Sequence, residues 1–319
     1  MPGWRVPSAE DEGSAVGSAK LGGRELMRGR RLLEGVLRRT AAATFNPREI
    51  LSNPFVSAKL LPLQEKESHA VLRHVRTPSP TDELPVPPEG LTSRWGLTPE
   101  SYLRGGQIDA ERMLELLGGL DIPVESLSRV LDFGCAEGRV LRFLPRSTDA
   151  ELWGVDINAE RIAWAQQHLP MPFRFATTTT APHLPFEDNY FDLVYCISVF
   201  THIGDLADAW FLELLRVLRP GGHAYLTIHD EHTVKLLQGE YRDDKTHAFM
   251  VGLLRDFDNQ TGVLSQDWAY FTIFADPAAQ VFYDSDYLTR KWSRLADCVA
   301  VRPEATGYQT ALVFRKWKR

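Results

Sequence analysis

Cysteine is scarce: the 319 residues contain only Cys135, Cys196 and Cys298, too few and too scattered for a disulfide framework or a structural zinc site. Long hydrophobic runs are missing too. No stretch approaches the roughly 20 apolar residues that a membrane-spanning helix needs. The first residues carry Glu10, Asp11 and Glu12, with no apolar core behind a basic start, so no secretory signal is read and the cytoplasm is the expected compartment. Positive charge is not in excess either. With 36 Lys and Arg against 42 Asp and Glu the net charge is −6, which leaves no electrostatic footprint for nucleic-acid binding. What the chain does have is 44% apolar and 10% aromatic residues, enough for a sizeable core.

The N-terminal part is organised differently from the rest. Residues 1–22 are Gly, Ser, Ala and charge, the composition of a disordered tail. Residues 23–43 place Leu26, Leu33, Val36 and Leu37 at helical spacing among arginines. They read as a solvated helix, with weak membrane-surface association as the alternative. Prolines punctuate residues 46–88, where only 65–75 has a helical pattern. Residues 23–90 therefore form an arm that lies along the following domain or covers its cleft, and the domain itself is expected over 91–319.

The chemistry concentrates in Val130-Leu131-Asp132-Phe133-Gly134-Cys135-Ala136-Glu137-Gly138-Arg139. The apolar run 130–133 suits a buried strand. Gly134, Ala136 and Gly138 allow a tight turn into a helix over 139–144. A strand, a small-residue turn and a helix start make a ligand cradle. Gly134 and Gly138 stand four apart, which is not the spacing of the dinucleotide fingerprint. A second strand over 151–155 ends in Asp156, at the distance expected for an acid that hydrogen-bonds ribose hydroxyls, so the pair of elements points to an adenosine-containing ligand.

Here the sequence resembles the class I S-adenosylmethionine-dependent methyltransferases of the small-molecule type, whose first motif reads Leu-Asp-x-Gly-Cys-Gly-x-Gly-Arg. Residues 131–139 match it except for Ala136 in place of glycine. A methyl group there is tolerable where the backbone torsion is negative, and it narrows the approach to the methionine moiety. Three further stretches resemble the family in the right order: Leu184-Pro185-Phe186-Glu187-Asp188-Asn189-Tyr190-Phe191-Asp192, Ser198-Val199-Phe200-Thr201-His202-Ile203, and Leu215-Arg216-Val217-Leu218-Arg219-Pro220-Gly221-Gly222. The resemblance implies S-adenosylmethionine as cofactor. Asp132, Gly134, Cys135, Ala136 and Gly138 would hold its methionine end, Asp156 its ribose, and Ile157 its adenine. Thr180 stands where the family often has an aspartate that reads the adenine amine, and Cys196 to Ser198 would line the other side. The two cysteines read as small close-approach residues and not as nucleophiles.

Taken in order, the domain shows a helix over 108–117, preceded by Tyr102, Arg104, Gly105 and Gly106 in an entry loop. After the second strand come a helix over 159–168, strands over 173–175 and 193–197, a helix over 205–218, and a strand over 223–228. Such alternation predicts an α/β, doubly wound, Rossmann-like and mostly parallel sheet. Residues 231–280 break it and read as an insertion over the cleft. A helix over 285–295 and strands over 299–301 and 309–314 follow, completing a seven-stranded sheet that, in the family, closes with an antiparallel C-terminal hairpin.

His202 and His229 follow predicted central strands and are the candidate catalytic bases, since imidazole titrates near neutrality. The run His229-Asp230-Glu231-His232 lacks metal-ligand spacing, so no metal is expected. Asp284 is read as a helix cap. The expected activity is methyl transfer to a small-molecule acceptor at a hydroxyl oxygen. The alternatives are nitrogen methylation of an amine or protein side chain, and a non-catalytic cofactor-binding scaffold.

Overall fold

A computed structural model describes residues 84–92, 98–170, 172–274 and 279–318. The tail 1–22, the basic helix 23–43 and the helix 65–75 lie outside the described residues. The described end of the arm rests on the domain: Leu84 packs into its core, and the Pro85 carbonyl accepts a hydrogen bond of 2.8 Å from Arg142 Nη2. Among the described residues no helix is long and apolar enough to cross a membrane.

Nine strands are described: β1 (Arg129–Phe133), β2 (Glu151–Asp156), β3 (Phe173–Thr177), β4 (Phe191–Cys196), β5 (Leu218–Ile228), β6 (Tyr270–Ile273), β7 (Gln280–Tyr283), β8 (Asp297–Thr306) and β9 (Gln309–Arg315). Seven of them make one sheet in the order β3-β2-β1-β4-β5-β9-β8. β1 to β5 are parallel neighbours, while β9 enters antiparallel between β5 and β8. Strand order reverses between β1 and β4, so the cleft opens beyond their carboxyl ends.

Period-two alternation builds the two core layers. Leu131, Phe133, Val194 and Cys196 face one layer, and Val130, Leu193 and Tyr195 face the other. All six residues of β4 are buried, as befits a parallel strand covered on both faces. Asp192 gives the register of β4 against β1 a polar anchor: its Oδ2 accepts the N–H groups of Ser128 and Arg129, each at 2.7 Å.

The helices α1 (Pro99–Gly119), α2 (Ala159–His168) and α3 (Ala207–Val217) accompany the sheet. α1 starts nine residues earlier than its apolar stripe suggests, because Thr98 caps it, accepting the Ser101 N–H at 3.2 Å, and Pro99 suits the first turn. Tyr102, Arg104, Gly105 and Gly106 therefore lie inside a helix and not in an entry loop. Gly106 has a steric purpose there: a Cβ would stand 2.2 Å from the carbonyl oxygen of Arg139. The segment after the glycine turn departs from expectation in the other direction. It is a 3-10 helix, Leu141–Arg146, and not an α-helix, since Pro145 has no N–H to return to Leu141.

After β5 come α4 (Glu231–Gln238), α5 (Ala248–Thr261) and the antiparallel pair β6–β7, a hairpin apart from the main sheet. They share an apolar cluster, including Val234, Leu237, Leu254, Phe271 and Phe282. The hairpin is tied to the end of β5, where the His229 carbonyl accepts the Tyr283 N–H at 2.8 Å. Asp284 caps the last helix, α6 (Ser285–Trp292), by accepting the Tyr287 N–H.

Candidate functional site

Beyond β1 the chain takes left-handed backbone at every second residue, with φ of +85° at Gly134, +50° at Ala136 and +80° at Gly138. The N–H groups of Gly134 and Cys135 both donate to the Val155 carbonyl, at 2.7 and 3.0 Å, folding the turn over the end of β2. Gly134 must lack a side chain, since a Cβ would lie 2.3 Å from Val199 Cγ2. The condition set for Ala136 is not met. Its torsion is positive, so an alanine holds a glycine conformation at a strain of about 1–2 kcal/mol.

Asp156 fastens this turn. Its Oδ2 accepts the Ala136 N–H at 2.9 Å and its Oδ1 accepts the Asn158 N–H at 2.7 Å. Burial raises its pKa, opposed by the charge of Arg161 and by these N–H donors. Arg161 also pairs with Glu137 at 3.0 Å. Asn158 in turn caps α2, accepting the Arg161 N–H at 3.1 Å, so the acid, the turn and the helix start form one hydrogen-bonded unit.

The unit opens on a cavity of about 940 Å³. Gly134, Ala136, Asp156, Ile157, Thr180 and Ser198 line it, together with His202 and His229. Asp132, Cys135, Gly138 and Cys196, expected in the cofactor set, are not on its wall, and each has a structural reason to be elsewhere. Asp132 sits opposite Tyr195 in the β1–β4 pairing and accepts its hydroxyl at 2.9 Å. Burial pushes that carboxyl up to about 7 despite the Tyr195 donor and the charge of Arg139. The Cys135 sulfur fills the space over Gly154, where a Cβ would come within 2.7 Å of it. A Cβ on Gly138 would press on Leu169 and Phe175, at 3.0 and 3.3 Å. Cys196 is buried in the sheet with its thiol toward the Tyr225 carbonyl at 3.7 Å. Burial raises both thiols well above their ordinary range, which disfavours the thiolate.

The two histidines differ in environment. His202 ends a 3-10 turn, Phe200–His202, and its Nδ1 lies 2.7 Å from the Ala279 carbonyl. That oxygen can only accept, so Nδ1 carries the proton and the lone pair belongs to Nε2. His229 is 2% exposed, with its ring between Phe282 and Tyr308 at centroid distances of 5.1 and 5.4 Å. Burial, with a smaller effect from His202, holds it down at about 3, so the expectation of near-neutral titration fails for this residue. The neighbouring Asp230, Glu231 and His232 turn to separate partners: Thr233, Ser285 and Glu304.

Residues 131–226 match the family model for a methyltransferase domain. Residues 131–226 thus carry a methyltransferase domain. Its sequence is similar to the methyltransferase GfsG of Streptomyces halstedii, 34% identical over 120 residues, which are 35% of this chain and 41% of that protein. It is also similar to a malonyl acyl-carrier-protein O-methyltransferase of Enterobacter lignolyticus, 27% identical over 166 residues, 51% and 64% of the two chains. A sterol 24-C-methyltransferase of Schizosaccharomyces pombe is 35% identical over 99 residues, 30% and 26% of the two chains. The chain thus spans less than two thirds of each of these relatives.

The structure also brings to the cavity Tyr102, which the sequence reading places in an entry loop, and Thr92, Tyr308 and Gln309, which it does not single out. Tyr102 and Thr92 reach it from α1 and from a helical turn, Glu89–Thr92, Tyr308 from the β8–β9 turn and Gln309 from the start of β9. Gln309 binds Ser198 and Thr227, residues far away in sequence, and no local motif announces it. Thr98-Pro99 was a readable signal for the α1 start, and hence for Tyr102.

Proposed function

We propose that this domain binds S-adenosylmethionine and delivers its methyl group to a hydroxyl oxygen of a small-molecule acceptor. The observation that carries the reading is the unit of left-handed turn, Asp156 and Asn158 on the wall of a cavity that also meets His202. The wall fits the cofactor: Gly134 keeps bare backbone beside it, and each Asp156 oxygen accepts one N–H and has capacity left for a ribose hydroxyl. Ile157 offers an apolar surface for the adenine, and Thr180 a hydroxyl for its polar edge. When bound, the cofactor supplies a methyl group already activated on a sulfonium.

The chain's own work is then to orient the acceptor, exclude water and take a proton. His202 is the better base of the two histidines. The Ala279 carbonyl fixes its ring and tautomer, so Nε2 would take the hydroxyl proton while the methyl carbon passes from sulfur to oxygen and the C–S electron pair leaves with the demethylated cofactor. His229, neutral and enclosed by aromatic rings, serves as a polar wall group. The three cysteines stand unpaired, which supports a reducing, cytoplasmic setting.

Calorimetry with S-adenosylmethionine and its demethylated product tests the cofactor half, and mass spectrometry for a gain of one methyl on a metabolite mixture tests transfer. Asp156→Asn should weaken binding by about 1–3 kcal/mol. Unchanged affinity in that variant, or no binding by the wild type, would remove the assignment.

A further inference from the structure

The charged side chains on the cavity wall are unevenly placed. Glu137, Arg139, Asp156 and Arg161 all come from the glycine turn, the β2 exit and α2. They are already matched: Arg139 pairs with Asp109 at 2.7 Å, Arg161 with Glu137 at 3.0 Å, and Asp156 takes two backbone N–H groups. The opposite wall is built from the β4 and β5 exits, the α3 start and described residues between 250 and 309. Apart from the histidines, its one charged side chain among the described residues is Asp205, which is exposed and accepts the Tyr270 hydroxyl at 2.9 Å. Its other contributions are apolar, with Ile203, Leu206, Trp210, Met250 and Val281, or neutral and polar, with Gln280, Tyr308 and Gln309.

Resting on the methyl-transfer reading above, we propose that the acceptor is an uncharged, mainly apolar molecule that presents a phenolic or enolic hydroxyl, and that carboxylates and cationic amines are excluded. A carboxylate entering this half would lose its water with no lysine or arginine among the described lining residues to replace it. A cationic amine meets no buried carboxylate among the described residues there and carries no lone pair to attack with until it has lost a proton. A neutral hydroxyl suffers neither penalty. It can lie on the apolar wall and give its proton to the Nε2 lone pair of His202. The low pKa of His229, about 3, keeps that wall group uncharged at neutral pH, so it offers an anion no counter-charge.

The test uses the full chain, S-adenosylmethionine and a panel of acceptors on matched apolar frames: naphthols and enolic ketones, naphthoic acids, and naphthylmethylamines. Product is read by mass spectrometry, and cofactor binding by calorimetry in parallel. Methylated naphthol or enol at rates about 100-fold above the acids and amines supports the proposal. Preferential methylation of the acids or the amines overturns it while leaving the methyl-transfer reading intact. If no panel member gains a methyl, both readings fall. A second arm uses Met250→Lys, whose aliphatic stem keeps much of the packing while its ammonium brings a cation to this wall. With cofactor affinity unchanged as the folding control, the ratio of naphthoate to naphthol methylation should rise about 10-fold or more. An unchanged ratio overturns the charge argument.

Discussion

Ser198 and Gln309, 111 residues apart, exchange two hydrogen bonds: Ser198 Oγ meets Gln309 Oε1 at 3.1 Å and Nε2 at 2.8 Å. Thr227 joins them, donating its hydroxyl to Gln309 Oε1 at 2.7 Å and accepting the Ser198 N–H at 2.7 Å. The ends of β4, β5 and β9 are thereby locked at the cavity, and Ser198 is held at φ +59°, a conformation an L-residue rarely adopts. Gln309→Leu should cost about 1–3 kcal/mol, because the two hydroxyls lose their shared partner. The urea midpoint reads this loss, and an unshifted midpoint would show that the network contributes nothing.

Ala136→Gly is expected to stabilise the fold. The left-handed torsion of +50° disfavours alanine, and the gain is reduced by the extra freedom glycine has in the unfolded chain. A net increase of about 0.5–1 kcal/mol should appear as a higher melting temperature. A lower melting temperature would mean that the methyl packs well enough to outweigh the strain.

Gly106→Ala should be costly for a helical glycine, a class of substitution that ordinarily helps. The new Cβ would meet the Arg139 carbonyl oxygen at 2.2 Å, so α1 must move away from the glycine turn. We expect a loss of about 2 kcal/mol or more together with weaker cofactor binding, whereas Gly118→Ala on the same helix, with open space around it, should be harmless or helpful. Equal behaviour of the two variants in thermal and calorimetric assays would contradict this account.

Two imidazoles make the fold acid-sensitive. Burial lowers His229 to about 3 and His223 to about 4, against an ordinary 6.5. The unfolded chain therefore binds protons below pH 6.5 that the folded chain refuses, and stability falls as pH drops from 6.5 towards 4. Asp132 acts in the opposite sense: with its carboxyl raised to about 7 from 3.8, the folded chain keeps a proton the unfolded one releases, and stability is lost as pH rises across that interval. The difference between wild type and His229→Gln isolates one imidazole. It should change by about 1.4 kcal/mol per pH unit between pH 6 and 4. A flat difference curve would place His229 in contact with water.

The parts of the fold that were readable in the sequence are those fixed by near neighbours. Helix α2 starts and stops where the pattern put it, since its cap, Asn158, is adjacent to it. Asp156 ends β2 because the buried apolar run stops there. Reading failed where a distant element decided the outcome. Gly105 and Gly106 looked like loop residues, yet Gly106 belongs to a helix that needs room for the Arg139 carbonyl. Cys196 falls in a motif but points into the sheet, and Gln309 reaches the cavity through bonds to two other strands. The contrast between His202 and His229 could not be read either, because it rests on Ala279, Phe282 and Tyr308.

β9 is the last strand of the sheet to leave the ribosome, and it is inserted second from the edge. Among the described residues β8 pairs only with β9, so during synthesis it has no place in the sheet, and the flank of β5 stays open until residues 309–315 arrive. The five parallel strands, with the glycine turn and Asp156, can assemble while the chain is still being made. Ser198 acquires its clamp only when Gln309 emerges. The cofactor half of the cavity thus draws on the parallel strands alone, whereas the other wall, including Tyr308, needs β9 in place.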